Sequence, residues 1–210
     1  IFISDDDKAN RSVGKEHVML YLKFTAVIVT IMCIPSIVFL KERPPTYPSE
    51  SAKSQQVTEF SIVNDTKLLL KNRNFIKMLI HYSLFYGIYT CMGAIINNLV
   101  SPYNFGSKSS SLFGGSFILA GVISSFLVST SVDKNKNYLK TYRMLSIASL
   151  IFSACIAITL PTRKVFWVNI NIALLGASLV PIIPLGFSFS VELTHPVSEA
   201  MSNGVIVFTA

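Results

Sequence analysis

Acidic side chains are scarce in this sequence. Its 210 residues hold 11 Asp and Glu against 18 Lys and Arg, and charges of either sign make up only 14%. Whole stretches have almost none: between Met78 and Val132 only Lys108 is charged, and between Leu145 and Val191 only Arg163 and Lys164. A bilayer core about 30 Å thick takes ~20 apolar residues per helix, so each stretch is long enough for a pair of spans. That distribution, with 51% hydrophobic residues and a mean hydropathy of +0.53, argues against a water-soluble enzyme or a nucleic-acid binder.

Cysteine and histidine are rare as well. Cys33, Cys91 and Cys155 each sit in a separate apolar run, where a thiol packs as a small residue, and no spacing suggests a zinc site or a disulfide framework. His17, His81 and His195 are too scattered for a metal site or a catalytic dyad, and no nucleophile elbow, phosphate loop or metalloprotease helix is present. No catalytic residue, metal or cofactor is therefore expected. Asp5, Asp6 and Asp7 occupy the place where a signal peptide would begin. The chain opens at Ile1 and stops inside the apolar run from Gly204 to Ala210, so the expectation is a fragment of a larger membrane protein.

What is present is a set of long apolar runs, and they predict an all-α, polytopic membrane bundle. Five full spans are expected at about residues 18–40, 75–100, 110–132, 144–160 and 165–191, with part of a sixth at 201–210. Lys23 snorkels near the start of the first and Pro35 kinks its end. Residues 41–74 form a Pro- and Ser-rich linker between two helical halves, with a candidate surface helix at residues 61–71. Residues 41–77 hold seven basic residues and residues 133–143 four more, Lys134, Lys136, Lys140 and Arg143, whereas the opposite loops hold only Lys108 in one and Arg163 with Lys164 in the other. The two rich segments are separated by an even number of spans, which predicts that both face the cytoplasm. Residues 1–17 then face outward with the sequon Asn10-Arg11-Ser12, while Asn64-Asp65-Thr66 faces inward as a chance match.

The spans carry patterned faces. Tyr82, Tyr86, Tyr89, Gly93 and Asn97 fall at offsets 0, 4, 7, 11 and 15, one narrow sector of a helix turning about 100° per residue. Lipid offers a phenol or an amide no hydrogen-bond partner, so this face points into protein or a wet cavity. Two readings stay open, packing against neighbouring helices and lining a site for an organic cation or polar solute. Ser110, Gly114, Gly121, Ser125 and Ser129 form a small-residue stripe suited to close helix packing. Pro181, Pro184 and Gly186 lie within six residues and predict a bent or interrupted helix, either an ordinary kink or a hinge at a site. Glu192 and Glu199 flank the cytoplasmic end of that span, as interfacial charges or as gating partners of the basic loops.

The segment Asp133-Lys134-Asn135-Lys136-Asn137-Tyr138-Leu139-Lys140 resembles the acidic-then-basic cytoplasmic loop between the second and third helices of each half of a major facilitator transporter. It is joined by Pro184-Leu185-Gly186-Phe187, by the run from Val191 through Glu192-Leu193-Thr194-His195-Pro196 to Glu199, and by Ser202-Asn203-Gly204. Together these resemble the junction of the tenth and eleventh helices in the family of the feline leukaemia virus subgroup C receptor. Phe39 to Ser49, with Lys41-Glu42-Arg43-Pro44-Pro45, is similar to that family's exit from its sixth helix, and Tyr86-Gly87-Ile88 and Asn97 sit where its seventh begins and ends. The resemblance implies helices six to ten and the start of eleven of a twelve-helix carrier whose halves rock about a central site. It also implies a choline, ethanolamine or haem-like substrate. Two positions depart from the family: Ala94 stands where a substrate-facing Tyr is found late in the seventh helix, and His195 replaces a Tyr before Pro196.

The leading expectation is transport of a small organic solute by alternating access. Its partners are the lipid bilayer, the solute and the missing N-terminal half of the same protein, with no nucleic acid. Tyr82, Tyr86, Tyr89 and Asn97 line the site, and Asp133, Lys134, Lys140, Arg143, Glu192 and Glu199 act in gating. A non-transporting membrane receptor or a truncated interaction module is the alternative, and a membrane-embedded enzyme has no constellation of ionisable groups to support it.

Overall fold

The computed structural model describes residues 11–39 and 62–210. The acidic run Asp5 to Asp7, Asn10 of the first sequon and the linker with Lys41-Glu42-Arg43-Pro44-Pro45 and Lys53 lie outside the described residues. The chain divides into two units, Ile1–Glu59 and Phe60–Ala210.

Among the described residues of the first unit, the helix α1 (Arg11–Phe39) runs for 29 residues with Pro35 inside it. Its side chains from Val18 to Ile34 are largely exposed and apolar, the surface a helix presents to lipid. Thr25 and Thr30 donate their hydroxyls to the carbonyls of Tyr21 and Ala26 one turn back, at 2.9 and 2.8 Å. That satisfies both hydroxyls inside the helix itself.

The second unit contains α2 (Ile62–Lys71), α3 (Arg73–Val100), α4 (Ser107–Asn135), α5 (Tyr138–Thr159), α6 (Val165–Leu179), α7 (Ile182–Thr194) and α8 (Glu199–Thr209). No strand occurs among the described residues. Among the described residues five segments are long and apolar enough to cross a bilayer: Lys15–Pro35, Arg73–Tyr103, Ser107–Asn135, Tyr138–Thr162 and Val165–Thr194. They fall on the five expected spans.

Two boundaries differ from the sequence reading. The fourth span starts at Tyr138 rather than Met144, and the third continues to Asn135, so the expected loop at residues 133–143 shrinks to Lys136 and Asn137. The chain turns there in very few residues. Lys136 adopts a left-handed conformation (φ 50°) and its N–H closes the end of α4 on the Val132 carbonyl at 2.7 Å. Lys140 and Arg143 consequently ride on the first turns of α5, since a long basic side chain at a helix end reaches water without ending the helix. The expected fifth span is two helices, α6 and α7, broken around Pro181.

The core packs α4 against α6 and α6 against α5, around Phe113, Phe117, Val168, Ile172, Leu175 and Leu179. In lipid, association rests on close packing and interhelical hydrogen bonds rather than on expelling water, and both occur here. A Cβ on Gly176 would collide with the Phe117 carbonyl, and one on Gly121 would collide with the Val180 side chain. Across the same contact Ser116 Oγ donates to Asn169 Oδ1 at 2.7 Å. Asn171 Nδ2 donates to Thr159 Oγ1 at 3.1 Å, tying α6 to the end of α5. Of the small-residue stripe, Ser110 and Gly121 are buried, whereas Ser129 is exposed and the space beside Gly114 is open.

A second apolar cluster joins α2, α3, α7 and α8 through Leu69, Phe75, Met78, Tyr82 and Ile206. The expected surface helix is thus α2, which buries Leu69 and leaves Ile62, Val63, Leu68 and Leu70 exposed. Asn72 fixes the corner. Its Oδ1 accepts from the N–H groups of Asn74 and Phe75 as the N-cap of α3, and its Nδ2 donates to the Leu193 carbonyl at 2.9 Å. Polar pairs then lock α7 to α8: Ser190 Oγ donates to Asn203 Oδ1 at 2.7 Å, and the Thr194 and Ser202 hydroxyls meet at 2.6 Å.

The Gly176 contact is backbone on backbone and has no side chain free to yield. Gly176→Ala is therefore expected to lower stability by about 1–3 kcal/mol. Gly114→Ala, facing open space, is expected to be neutral or slightly stabilising. Thermal unfolding of the detergent-solubilised protein distinguishes them, and equal melting temperatures for the two variants would contradict the packing.

Candidate functional site

The tyrosine sector of α3 forms a continuous run of rings. Tyr82 and Tyr86 lie 6.0 Å apart between centroids, Tyr86 and Tyr89 6.1 Å, and Tyr89 and Phe117 of α4 6.0 Å. Tyr82 also meets Phe187 of α7 at 5.8 Å. The four residues expected to line a site are not equivalent. Tyr82 is 1% exposed and forms part of the apolar cluster, Tyr86 and Tyr89 are half-buried, and Asn97 is exposed. Beyond Tyr89 the same face is open: a Cβ at Gly93 would meet nothing within 4 Å, and Ala94 is exposed. Tyr82 therefore packs, while Tyr86, Tyr89 and Asn97 offer a ring surface and an amide to whatever lies against α3.

Tyr82 owes its position to the broken helix. A Cβ on Gly186 would sit 2.5 Å from Tyr82 Cδ2 and 2.6 Å from Cε2, so the ring occupies the space that any larger residue on α7 would take. The break itself follows from two prolines. In a regular helix the N–H of residue 181 would bond the carbonyl of Ala177, and that of residue 184 the carbonyl of Val180, but Pro181 and Pro184 carry no N–H. Both acceptors are satisfied otherwise. Ser124 Oγ of α4 donates to the Ala177 carbonyl at 2.6 Å, and the Ile183 N–H tightens onto the Val180 carbonyl at 3.2 Å. A neighbouring hydroxyl and a local shorter turn are the two usual repairs for proline within a bilayer.

The charged candidates separate into two groups. Lys140, Arg143 and Glu192 line one cavity of about 550 Å³ between the start of α5 and the end of α7, together with Lys136 and Tyr138. Asp133 and Lys134 lie in the last turn of α4, and neither contributes to that lining. Glu199 occupies the first turn of α8, where its charge complements the helix dipole, and Ser198 caps the same turn by accepting from the Met201 N–H at 3.3 Å. His195 is exposed in the turn between α7 and α8. Of the cysteines, Cys33 and Cys91 are exposed and Cys155 is half-buried, all as free thiols.

Four structurally decisive residues escape a sequence reading based on helical stripes. Ser124 lies beside the small-residue stripe, not on it, and only the proline four positions beyond Ala177 signals the need for its hydroxyl. Asn72 carries the usual sign of an N-cap, an Asn just before a helix, but its second bond to Leu193 spans distant sequence. His81 and Tyr142 meet across the start of α3 and α5, with ring centroids 4.9 Å apart, and no local pattern pairs them.

Ser124→Ala is expected to destabilise the protein by about 1 kcal/mol. In a Pro181→Ala background, where residue 181 regains its N–H, the same change is expected to have little effect. A double-mutant cycle measures that coupling, and additive effects would refute the repair. Gly186→Ala is expected to push Tyr82 from its place, lowering stability by about 1–3 kcal/mol. Tyr82→Leu, which vacates ring volume, is expected to relieve part of that loss in thermal unfolding.

With this geometry in place, comparison with known proteins bears on its meaning. Residues 20–210 match the Major Facilitator Superfamily. The choline/ethanolamine transporter flvcr2b of Danio rerio is 27% identical over 210 residues, covering 98% of this chain and 43% of the relative. The choline/ethanolamine transporter FLVCR1 of Mus musculus is 28% identical over 186 residues, covering 87% and 33%. Solute carrier family 49 member A3 of Danio rerio is 25% identical over 191 residues, covering 89% and 40%. The chain spans less than half the length of these relatives. The family match takes in most of α1 and of the first membrane-capable segment, and the whole of α2 to α8 with the other four segments. On that match the chain, an integral multi-pass membrane protein, belongs to the major facilitator superfamily.

Proposed function

We propose that this chain is part of a solute carrier that moves a small organic amine of the choline or ethanolamine class by alternating access. The observation that carries the reading is the ladder of Tyr82, Tyr86 and Tyr89 on α3, set against the broken α6–α7 helix at Gly186. The names of the similar carriers support the amine. A quaternary or primary ammonium is attracted to the faces of tyrosine rings, and interrupted helices are where many transporters form their substrate sites.

In this reading Tyr86 and Tyr89 touch the solute, Tyr82 sets their height, and Asn97 contributes an amide further along the face. Residues 1–17 face outward, α1 ends an N-terminal half, residues 41–74 link the halves on the cytoplasmic side, and residues 75–210 belong to the C-terminal half. The basic residues at the start of α3 and α5 support that orientation. Asp133, Lys134, Lys140, Arg143, Glu192 and Glu199 lie toward the cytoplasmic ends of their helices, where charge contacts between the halves form and break as the carrier rocks.

Uptake of labelled choline and ethanolamine by vesicles containing the complete protein tests the proposal. Flux of at least one above protein-free vesicles is expected. Tyr89→Ala is expected to lower it about tenfold, the loss of roughly 1.4 kcal/mol of cation–π attraction, at unchanged abundance in the membrane. Background flux of both amines with correctly folded protein would remove the substrate assignment. Full flux in the Tyr89→Ala variant would remove the ladder from the site.

A further inference from the structure

A second cavity, of about 370 Å³, lies between the first turns of α3 and α5 and the last turns of α7, with Met78, Leu139 and Leu193 forming part of its wall. Asn74, Lys77 and His81 line it from α3, Tyr142 and Arg143 from α5, and Phe189 from α7. Among the described residues no carboxylate lines it. Tyr142 is 4% exposed, yet among the described residues its hydroxyl has no hydrogen-bond partner, and neither has the buried Nδ1 of His81. Such orphaned groups each cost about 1–3 kcal/mol unless a ligand or water meets them. The rings that carry them are held firmly, His81 stacked on Phe85 at 4.4 Å and Tyr142 against Phe189 at 5.9 Å between centroids.

We propose that this cavity seats the phosphate-bearing headgroup of an anionic phospholipid. Tyr142 donates its O–H, His81 an N–H in the Nδ1-protonated tautomer, and Lys77, Arg143 and Asn74 supply the remaining donors around an acceptor-only group. The adjoining cavity shares Arg143 and Phe189 and adds Lys136 and Lys140 against the single carboxylate of Glu192, so the local field stays positive. Asn137, the N-cap of α5, makes no side-chain capping bond and lines the adjoining cavity with Tyr138. A lipid is favoured over free phosphate by what borders the site. Met144 and Ile147 continue from the neighbouring cavity along the exposed face of α5, an apolar track for an acyl chain beneath a headgroup at the membrane surface. Basic pockets between transmembrane helices are a known form of headgroup recognition. The inference does not depend on the transport reading: Arg143 enters both, but lipid retention is read without flux.

The test uses the complete protein, stripped of lipid in detergent and given phosphatidylinositol 4-phosphate or phosphatidylcholine, with retained lipid counted by native mass spectrometry. Retention of the phosphoinositide over phosphatidylcholine is expected. The Lys77→Gln, Arg143→Gln double variant is expected to lower it about tenfold or more, two cationic contacts being lost. Tyr142→Phe is expected to lower it about threefold while leaving the melting temperature of the lipid-free protein unchanged or raised, because the hydroxyl it removes has no partner there. Inositol 1,4-bisphosphate at equal concentration is expected not to displace the lipid. Displacement would assign the site to soluble phosphates and overturn the lipid. Equal retention of both lipids, or undiminished retention in Tyr142→Phe and the double variant, would overturn the site itself.

Discussion

A carbonyl that loses its helical donor inside a bilayer has no water to turn to, and at Ala177 that constraint organises the centre of the bundle. Pro181 removes the donor, and Ser124 of α4 supplies another. The bond requires α4 to lie close to α6, and Gly121 and Gly176 permit that approach by carrying no side chain where the two backbones meet. One missing N–H thereby ties together three features that look unrelated along the chain: a serine, a glycine pair and a proline. Beyond the break, α7 sets Gly186 against the ring of Tyr82, so the aromatic run on α3 packs directly on the helix that the prolines interrupt.

The fold was largely readable from the spacing of charge. Five apolar runs separated by polar turns can only be helices in lipid, because every backbone group must find its partner within the segment. Boundaries were less readable where charge and helix ends do not coincide. Lys140 and Arg143 look like loop residues in a hydropathy reading, yet they extend from the first turns of α5. The reason is length: a basic side chain spans more than a turn of helix and reaches the surface from inside it. The break between α6 and α7 was foreshadowed by Pro181 and Pro184, but its form depends on a hydroxyl 53 positions distant from Ala177.

The site was readable only as a direction. Helical periodicity put Tyr82, Tyr86, Tyr89, Gly93 and Asn97 on one face, and the rings do form a single run. Periodicity within one helix cannot say which member of a stripe meets a neighbour. That is decided by Gly186 and Phe187, which cover Tyr82 and leave Tyr86 and Tyr89 half-open. The charged candidates show the same limit. Lys140 and Arg143 of α5 line one cavity with Glu192 of α7, whereas Asp133 and Lys134, adjacent in sequence to the same turn, do not line it.

The polar bonds gather the helices of the second unit into two groups. α4, α5 and α6 are joined by backbone-close packing and by the Ser116–Asn169, Ser124–Ala177 and Asn171–Thr159 bonds. α7 and α8 are joined to each other by the Ser190–Asn203 and Thr194–Ser202 pairs and to the start of α3 by Asn72. Between these groups stands the interrupted backbone at Val180 and Pro181, where one regular helical bond is replaced by a side-chain bond and one by a shorter turn. Bending there disturbs fewer main-chain hydrogen bonds than bending within either α6 or α7. Under the transport reading, a movement of α7 and α8 relative to α4–α6 would pivot at this joint. Tyr82, wedged against Gly186, would then be the first ring of the ladder to feel it.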